Sequence, residues 1–269
     1  MASLTKVIIT GAAGRMGKRL VSLVQESKSL QLVGATETKG HPDLGKDAGD
    51  LAGCGHLDVS LTDDLVKALS QANVVVDFTS PAATLNHLAQ AVQHKRAMVI
   101  GTTGFSSDEM NQLRKHAESI PCMQAPNMSV GINVLLQIIG KVAQALGDDY
   151  DLEIIDMHHN KKKDAPSGTA LILAEALAAA KGWDLQETGV FSRHGIIGER
   201  SRKEIGIQTV RAGDIVGDHT VLYGGPGERI EITHRAHNRD PFARGALRAA
   251  EWLVNQPPGL YGMADVLGL

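Results

Sequence analysis

Residues 153–169 read EIIDMHHNKKKDAPSGT. An apolar, strand-like run leads into His158 and His159 and then into Lys161, Lys162 and Lys163. Ser167, Gly168 and Thr169 follow and open an alanine-rich stretch with helical spacing. Cations gathered just ahead of a helix N-terminus make a seat for carboxylates. Ammonium groups stand on one side, and on the other stand the backbone N–H donors of Gly168 and Thr169 and the Thr169 hydroxyl. A small dicarboxylate suits such a seat. A histidine, with an unperturbed pKa of about 6.5, is the natural proton donor near neutral pH, although neighbouring lysines oppose its charged form. Successive residues of a strand point to opposite faces, so His158 and His159 do not converge on one ion, and no metal is expected. Taken alone, HHNKKK also fits a solvated loop; the PSGT that follows favours a site.

A second constellation lies near the start of the chain. Gly11, Gly14 and Gly17 form GxxGxxG, and Glu37 stands twenty positions beyond Gly17. A turn without Cβ atoms lets a pyrophosphate approach the backbone, the following helix offers N–H donors, and the acid accepts from ribose hydroxyls. Ala13 replaces the middle glycine of the usual GxGxxG, so the flanking strand and helix carry part of the argument. Arg15 is placed to flank the pyrophosphate. A free 2′-hydroxyl wants a carboxylate and a 2′-phosphate wants Arg or Lys. Glu37, Thr38 and Lys39 therefore predict use of both NADH and NADPH, with NADH preferred.

The elements that must position these residues follow from periodicity. Strands are expected at residues 4–10, 30–36, 74–78, 97–100 and 123–124, with helices at 15–26, 81–94 and 107–118. This alternation predicts a parallel sheet covered on both faces. Residues 40–55, rich in Gly, Asp and Pro, read as a loop. After a long helix at 129–146 the pattern changes. Strands at 152–157, 206–211, 218–222 and 229–233 are separated by one clear helix at 168–180, which predicts an open mixed or antiparallel sheet. A last helix at 241–254 is expected to return to the first domain. The predicted domains are 1–129 with 240–269, and 130–239.

The bulk numbers narrow the class. The 269 residues, 43% hydrophobic and 21% charged, suit a globular protein of two domains. Aromatics are only 3% and the net charge is -3, which argues against nucleic acid as a partner. Cys54 and Cys122 lack CxxC spacing and read as free thiols. The N-terminal MASLTKVIITGAAG has no signal-peptide pattern, and the longest apolar runs are interrupted before about 20 residues, so a cytoplasmic location without a membrane span is expected.

Several segments together carry a family resemblance: GAAGRMG at 11–17, DFTSP at 77–81, GTTGF at 101–105, EIIDMHHNKKKDAPSGTA at 153–170 and TVRAGDIVGDHT at 209–220. They closely resemble the dihydrodipicolinate reductases, also called 4-hydroxy-tetrahydrodipicolinate reductases, almost from end to end. The resemblance implies an α/β fold: a Rossmann-like parallel-sheet dinucleotide domain closed by the last helix, an α+β substrate domain with an open mixed sheet, and a homotetramer joined through the substrate-domain sheets. It implies reduction of a cyclic imine of the diaminopimelate route of lysine biosynthesis. By the same resemblance His158 is the general acid, Lys162 the second donor, His159 a substrate ligand, and Gly168 and Thr169 hold a carboxylate. Cofactor contacts fall on Gly11, Ala12, Gly14, Arg15, Met16 and Gly17, on Glu37, on Gly101, Thr102 and Thr103, and on Ala125, Pro126, Asn127 and Met128. Family members that handle NADPH well often carry Arg immediately after the acid, where Thr38 stands. Two rival readings are a semialdehyde dehydrogenase using the Cys122 thiol and a dinucleotide sensor without turnover.

Overall fold

The computed structural model describes residues 4–269, and its internal contacts divide the chain into two compact units, Met1–Val130 with Arg239–Leu269, and Gly131–Asn238. In chain order the first unit contributes β1 (Thr5–Thr10), α1 (Arg15–Glu26), β2 (Leu30–Thr36), α2 (Ala48–Ala52), β3 (Leu61–Thr62), α3 (Leu65–Leu69), β4 (Val74–Asp77), α4 (Pro81–Gln93), β5 (Ala97–Ile100), α5 (Ser107–Ala117) and β6 (Pro121–Gln124). There follow α6 (Val130–Leu146), β7 (Asp151–His158), α7 (Gly168–Lys181), α8 (Leu185–Thr188), β8 (Gly189–Val190), β9 (Ile205–Arg211), β10 (Gly217–Gly225) and β11 (Glu228–Ala236). The chain then returns to the first unit with α9 (Asp240–Leu253), β12 (Gly259–Tyr261) and α10 (Met263–Leu267).

The first unit holds a sheet in the order β12-β6-β5-β4-β1-β2-β3, parallel at each pairing. Its strands are short apolar runs because both faces are buried. Val7, Ile9, Val74, Val76, Val99 and Met123 enter the core shared with α1 and α9, while Ile8, Val75, Met98, Ile100 and Cys122 enter the one shared with α4 and α5. The alternation within each strand thus feeds two cores at once. Helix α9 has an alanine-lined buried face, and at Gly245 a Cβ would collide with the carbonyl of Met128. Only glycine lets the helix approach the chain leaving β6 so closely.

The second unit holds a mixed sheet in the order β11-β10-β7-β9-β8, with β7 parallel to β9 and antiparallel to β10. Leu152 and Ile154 of β7, Ile205 and Ile207 of β9, and Val221 and Tyr223 of β10 share a core with α6 and α7. The opposite face is not covered by a helix of this unit, and Ile155, Met157, Val210 and Leu222 lie partly or largely exposed on it.

One sequence expectation changes. Residues 40–55 are not loop throughout. Asp47 accepts from the amides of Gly49, Asp50, Leu57 and Val59 (2.9–3.1 Å) and thereby nucleates α2. The helix expected over residues 129–146 forms as α6. Residues 130–149 meet the length and composition of a membrane span, but Ile132, Leu135, Ile139 and Ala143 turn one face of it into the core of the second unit, the pattern of an amphipathic core helix.

Candidate active site

The cofactor candidates gather along one edge of the first sheet. The turn after β1, Glu37 after β2, Gly101–Thr103 after β5 and Ala125–Met128 after β6 all leave the C-terminal ends of parallel strands, where such sheets bind ligands. Gly11 has φ +61°, a left-handed conformation. At Gly17 a Cβ would collide with the Gly11 carbonyl and Ala12, so the third glycine seats α1 against β1. Glu37 folds back over the turn, its Oε2 accepting from the Ala13 amide at 3.3 Å and its Oε1 from the Thr38 amide at 3.0 Å. Arg15 and Gly14 are exposed. A cleft of about 400 Å³ adjoins Glu37 and is lined also by Lys39, Asp63, Asp64, Asn86 and His87.

Some of the candidate side chains are already taken up within the unit. Met128 and Ala12 are buried in the core, and the Thr102 hydroxyl is engaged with Asp77 at 3.1 Å. The tight glycine turn, the acid after β2 and an adjacent cleft are what a nicotinamide dinucleotide requires, so the residues present fit that group.

In the second unit β7 alternates regularly. Leu152, Ile154, Asp156 and His158 lie on the buried face, which brings a carboxylate and an imidazole to the N-terminal end of α7. Gly217 of β10 makes room for the ring, since a Cβ there would stand 3.0 Å from Nε2 of His158. Asp156 has no exposed surface and acts as a hub. Its Oδ2 accepts from the Ser167 amide (2.9 Å) and from Nη2 of Arg211 (3.0 Å), and its Oδ1 from the Ser167 hydroxyl (2.8 Å). Nδ1 of His158 lies 2.9 Å from Oδ1, without aligned hydrogen-bond geometry. His219, opposite Asp156 on β10, places Nε2 3.4 Å from the same oxygen and 3.2 Å from the Ser167 hydroxyl. Burial alone would raise the Asp156 carboxyl, but the contacts from His158 and His219 and the two bonds from Ser167 overturn that and hold it far below the usual carboxylate range.

Ser167 also caps α7, accepting from the Ala170 amide at 3.2 Å, so the hub fixes the helix end where Gly168 and Thr169 offer their amides. No atom stands within 4 Å of the Cβ position at Gly168. Of the three lysines, Lys162 is half-buried, with Nζ 3.0 Å from Asp164, while Lys161 and Lys163 are exposed. Arg211 ties down the same segment by donating to the Asp164 carbonyl at 2.7 Å. His159 is half-buried, and its Nδ1 is buried with no hydrogen-bond partner among the described residues. The sequence alone gives Asp156, Arg211 and His219 no role. Asp156 was findable, because an acid at an otherwise apolar position of an alternating strand must be paired when buried.

The thiol rival loses its footing. Cys122 has no exposed surface, and burial pushes its thiol up to about 12, leaving almost no thiolate near neutral pH.

A parallel sheet with a glycine turn at its ligand-binding edge, joined in one chain to a separate mixed sheet with an acid–imidazole–lysine seat, defines a two-domain nicotinamide-dependent oxidoreductase. Sequence profiles described as dihydrodipicolinate reductase, N-terminus, and dihydrodipicolinate reductase, C-terminus, match residues 5–128 and 131–267. The chain is 55% identical over 263 residues to the 4-hydroxy-tetrahydrodipicolinate reductase of Syntrophus aciditrophicus (strain SB), covering 98% of each protein. It is 53% identical over 266 residues to that of Desulfotalea psychrophila, covering 99% of each. A dipicolinate-bound dihydrodipicolinate reductase from Paenisporosarcina sp. TG-14 superposes with a TM-score of 0.76 at 27% identity, covering 97% of this chain and 98% of that one. An aspartate semialdehyde dehydrogenase II from Vibrio cholerae shares the fold alone, at 12% identity and a TM-score of 0.58, covering 94% of this chain and 99% of that one. The chain belongs to the dihydrodipicolinate reductase family.

Proposed function

We propose that this protein reduces 4-hydroxy-tetrahydrodipicolinate to tetrahydrodipicolinate in the diaminopimelate route of lysine biosynthesis, with NADH preferred over NADPH. The observation that carries the reading is the seat at the head of α7, where His158, Lys162 and the Ser167-anchored helix end share one segment. A dicarboxylate is recognised there by the amides of Gly168 and Thr169, the Thr169 hydroxyl and the half-buried imidazole of His159.

When bound, the nicotinamide would supply the hydride, an electron pair for the ring carbon that becomes conjugated with C=N once the 4-hydroxyl has left as water. The chain's own residues supply the rest. Asp156 holds the His158 ring in place, and His158, with Lys162 as second donor, provides the proton that neutralises the enamine-like anion left by hydride arrival. The Lys162 ammonium also stabilises that charge as it develops. The balance consumes one reduced cofactor and one proton and releases one water with the oxidised cofactor.

Preference for NADH is supported by Glu37 at the ribose position and by Asp63 and Asp64 in the same cleft, which oppose the added charge of a 2′-phosphate; Lys39 tempers this. We propose a homotetramer joined through the uncovered face of the second sheet, supported by the exposed apolar residues there, Val210 among them. The expected location is the cytoplasm. The experiment is to mix protein with freshly generated 4-hydroxy-tetrahydrodipicolinate and follow oxidation of NADH and NADPH in parallel at matched concentrations. Substrate-dependent oxidation, faster with NADH, is expected. Binding of NADH with no oxidation of either cofactor would favour the sensor reading instead.

A further inference from the structure

The apolar run of β4 ends on a carboxylate. Asp77 has no exposed surface, and β4 lies beside β1, from which the chain runs to β2 on the other side. Ligands of open parallel sheets sit at this switch point. Oδ1 of Asp77 accepts from the amide and hydroxyl of Thr79 (3.0 and 2.7 Å), from the hydroxyl of Thr84 (2.9 Å) and from that of Thr102 (3.1 Å). Oδ2 accepts from Nδ1 of His87 at 2.6 Å. Burial alone would raise this carboxyl, but His87, Thr79 and Thr10 overturn that and hold it below its usual range.

The partners of Asp77 belong to the cofactor edge. The Thr79 methyl stands 3.0 Å from the Cβ position at Gly11, and Thr102 lies in the segment after β5. His87, on α4, is 21% exposed and lines the cleft beside Glu37. A neutral imidazole that donates Nδ1–H to a carboxylate carries its lone pair on Nε2, at the far edge of the ring. With the ribose hydroxyls taken by the neighbouring acid, a fixed acceptor in the same cleft suits the next donor of the adenosine half, the exocyclic amine of adenine.

We propose that Asp77 is a positioning residue of the cofactor site, fixing the tautomer and orientation of His87 so that Nε2 accepts a hydrogen bond from the adenine amino group. This rests on the reading of the first unit as the NAD(P)H site. The test measures dissociation constants by cofactor fluorescence for NADH and for its deamino analogue, in which the adenine amino group is replaced by oxygen. The wild-type protein should bind NADH about fivefold to tenfold more tightly than the analogue, the worth of one neutral hydrogen bond. His87→Leu should weaken NADH by that factor and leave the analogue within twofold, and Asp77→Asn should erase the discrimination with His87 still present. Histidine ¹⁵N spectra of the wild-type protein should show His87 as the Nδ1–H tautomer, a readout that needs no folded Asp77 variant. Equal weakening of both ligands by His87→Leu, retention of the wild-type ratio by Asp77→Asn, or an Nε2–H tautomer would each overturn the proposal. Failure of the wild-type protein to bind either NADH or NADPH would overturn the cofactor reading beneath it, a separate and recognisable result.

Discussion

Replacing Asp156 by Asn keeps the shape of the hub and removes its charge. Ser167 donates to it twice and Arg211 once, and His158 lies against it at 2.9 Å. An amide offers one acceptor oxygen where the carboxylate offers two, and its NH2 group meets donors. Charge-assisted bonds are worth about 1.5–3 kcal/mol each, and breaking a buried pair costs about 3–5 kcal/mol. The Arg211 guanidinium keeps the Val210 and Asp164 carbonyls as acceptors, so the lower part of that range applies, about 2–4 kcal/mol. Urea unfolding at pH 7 measures it. The acid limb gives the sign. A carboxyl held below its unfolded value of about 3.9 contributes stability that is complete above that pH and is lost as pH falls below it. The wild-type protein should therefore lose its advantage over D156N on acidification below about pH 4. Because His158 loses its anchor, turnover should fall by about a hundredfold, while NADH affinity, which depends on the first unit, stays within twofold of wild type. A variant less than about 1 kcal/mol less stable than wild type, with undiminished turnover, would refute the hub.

His158→Gln and Lys162→Ala should each bind NADH as wild type by fluorescence and lose most turnover, about a hundredfold or more, in the oxidation assay. Gly17→Ala sets a Cβ against the Gly11 carbonyl and Ala12; by calorimetry and NADH titration it should cost about 1–3 kcal/mol and weaken the cofactor. Under native conditions a thiol reagent should label half-buried Cys54 well before Cys122, and a protein labelled only at Cys54 should retain its turnover. Loss of turnover that tracks labelling of Cys122 would restore the thiol mechanism.

Much of this architecture was legible because it repeats. The run VVVD of β4 and the alternation Leu152, Ile154, Asp156, His158 of β7 state their burial on one line of sequence, and the glycine turn states its partner through Glu37. Some of the shortest elements are not legible. β3, α2, α3, β12 and α10 are too short to show a period, and they depend on capping bonds such as those of Asp47 or on pairing with a neighbour already in place. The site divides in the same way. Residues 153–169 announce histidines, lysines and a helix start, all within one segment. Arg211 and His219 reach Asp156 only through the pairing of β9 and β10 with β7, and strand register between distant segments is set by tertiary packing that local patterning does not contain. The inward turn of the Thr102 hydroxyl, likewise, follows from Asp77, twenty-five residues earlier.

The return of α9 has a consequence for the order in which the molecule can form. The second unit is a continuous stretch, whereas the first is split around it, and the alanine-lined face of α9 has its place against a sheet made long before. At elongation rates of about 5–20 residues per second, the nascent first unit waits about 5–20 s while the intervening residues are made. During that interval Val76, Val99 and Met123 lack the cover that α9 provides. A half-built nucleotide fold with one open apolar face is what chaperones recognise, so the growing chain should depend most on them between the emergence of β6 and that of α9.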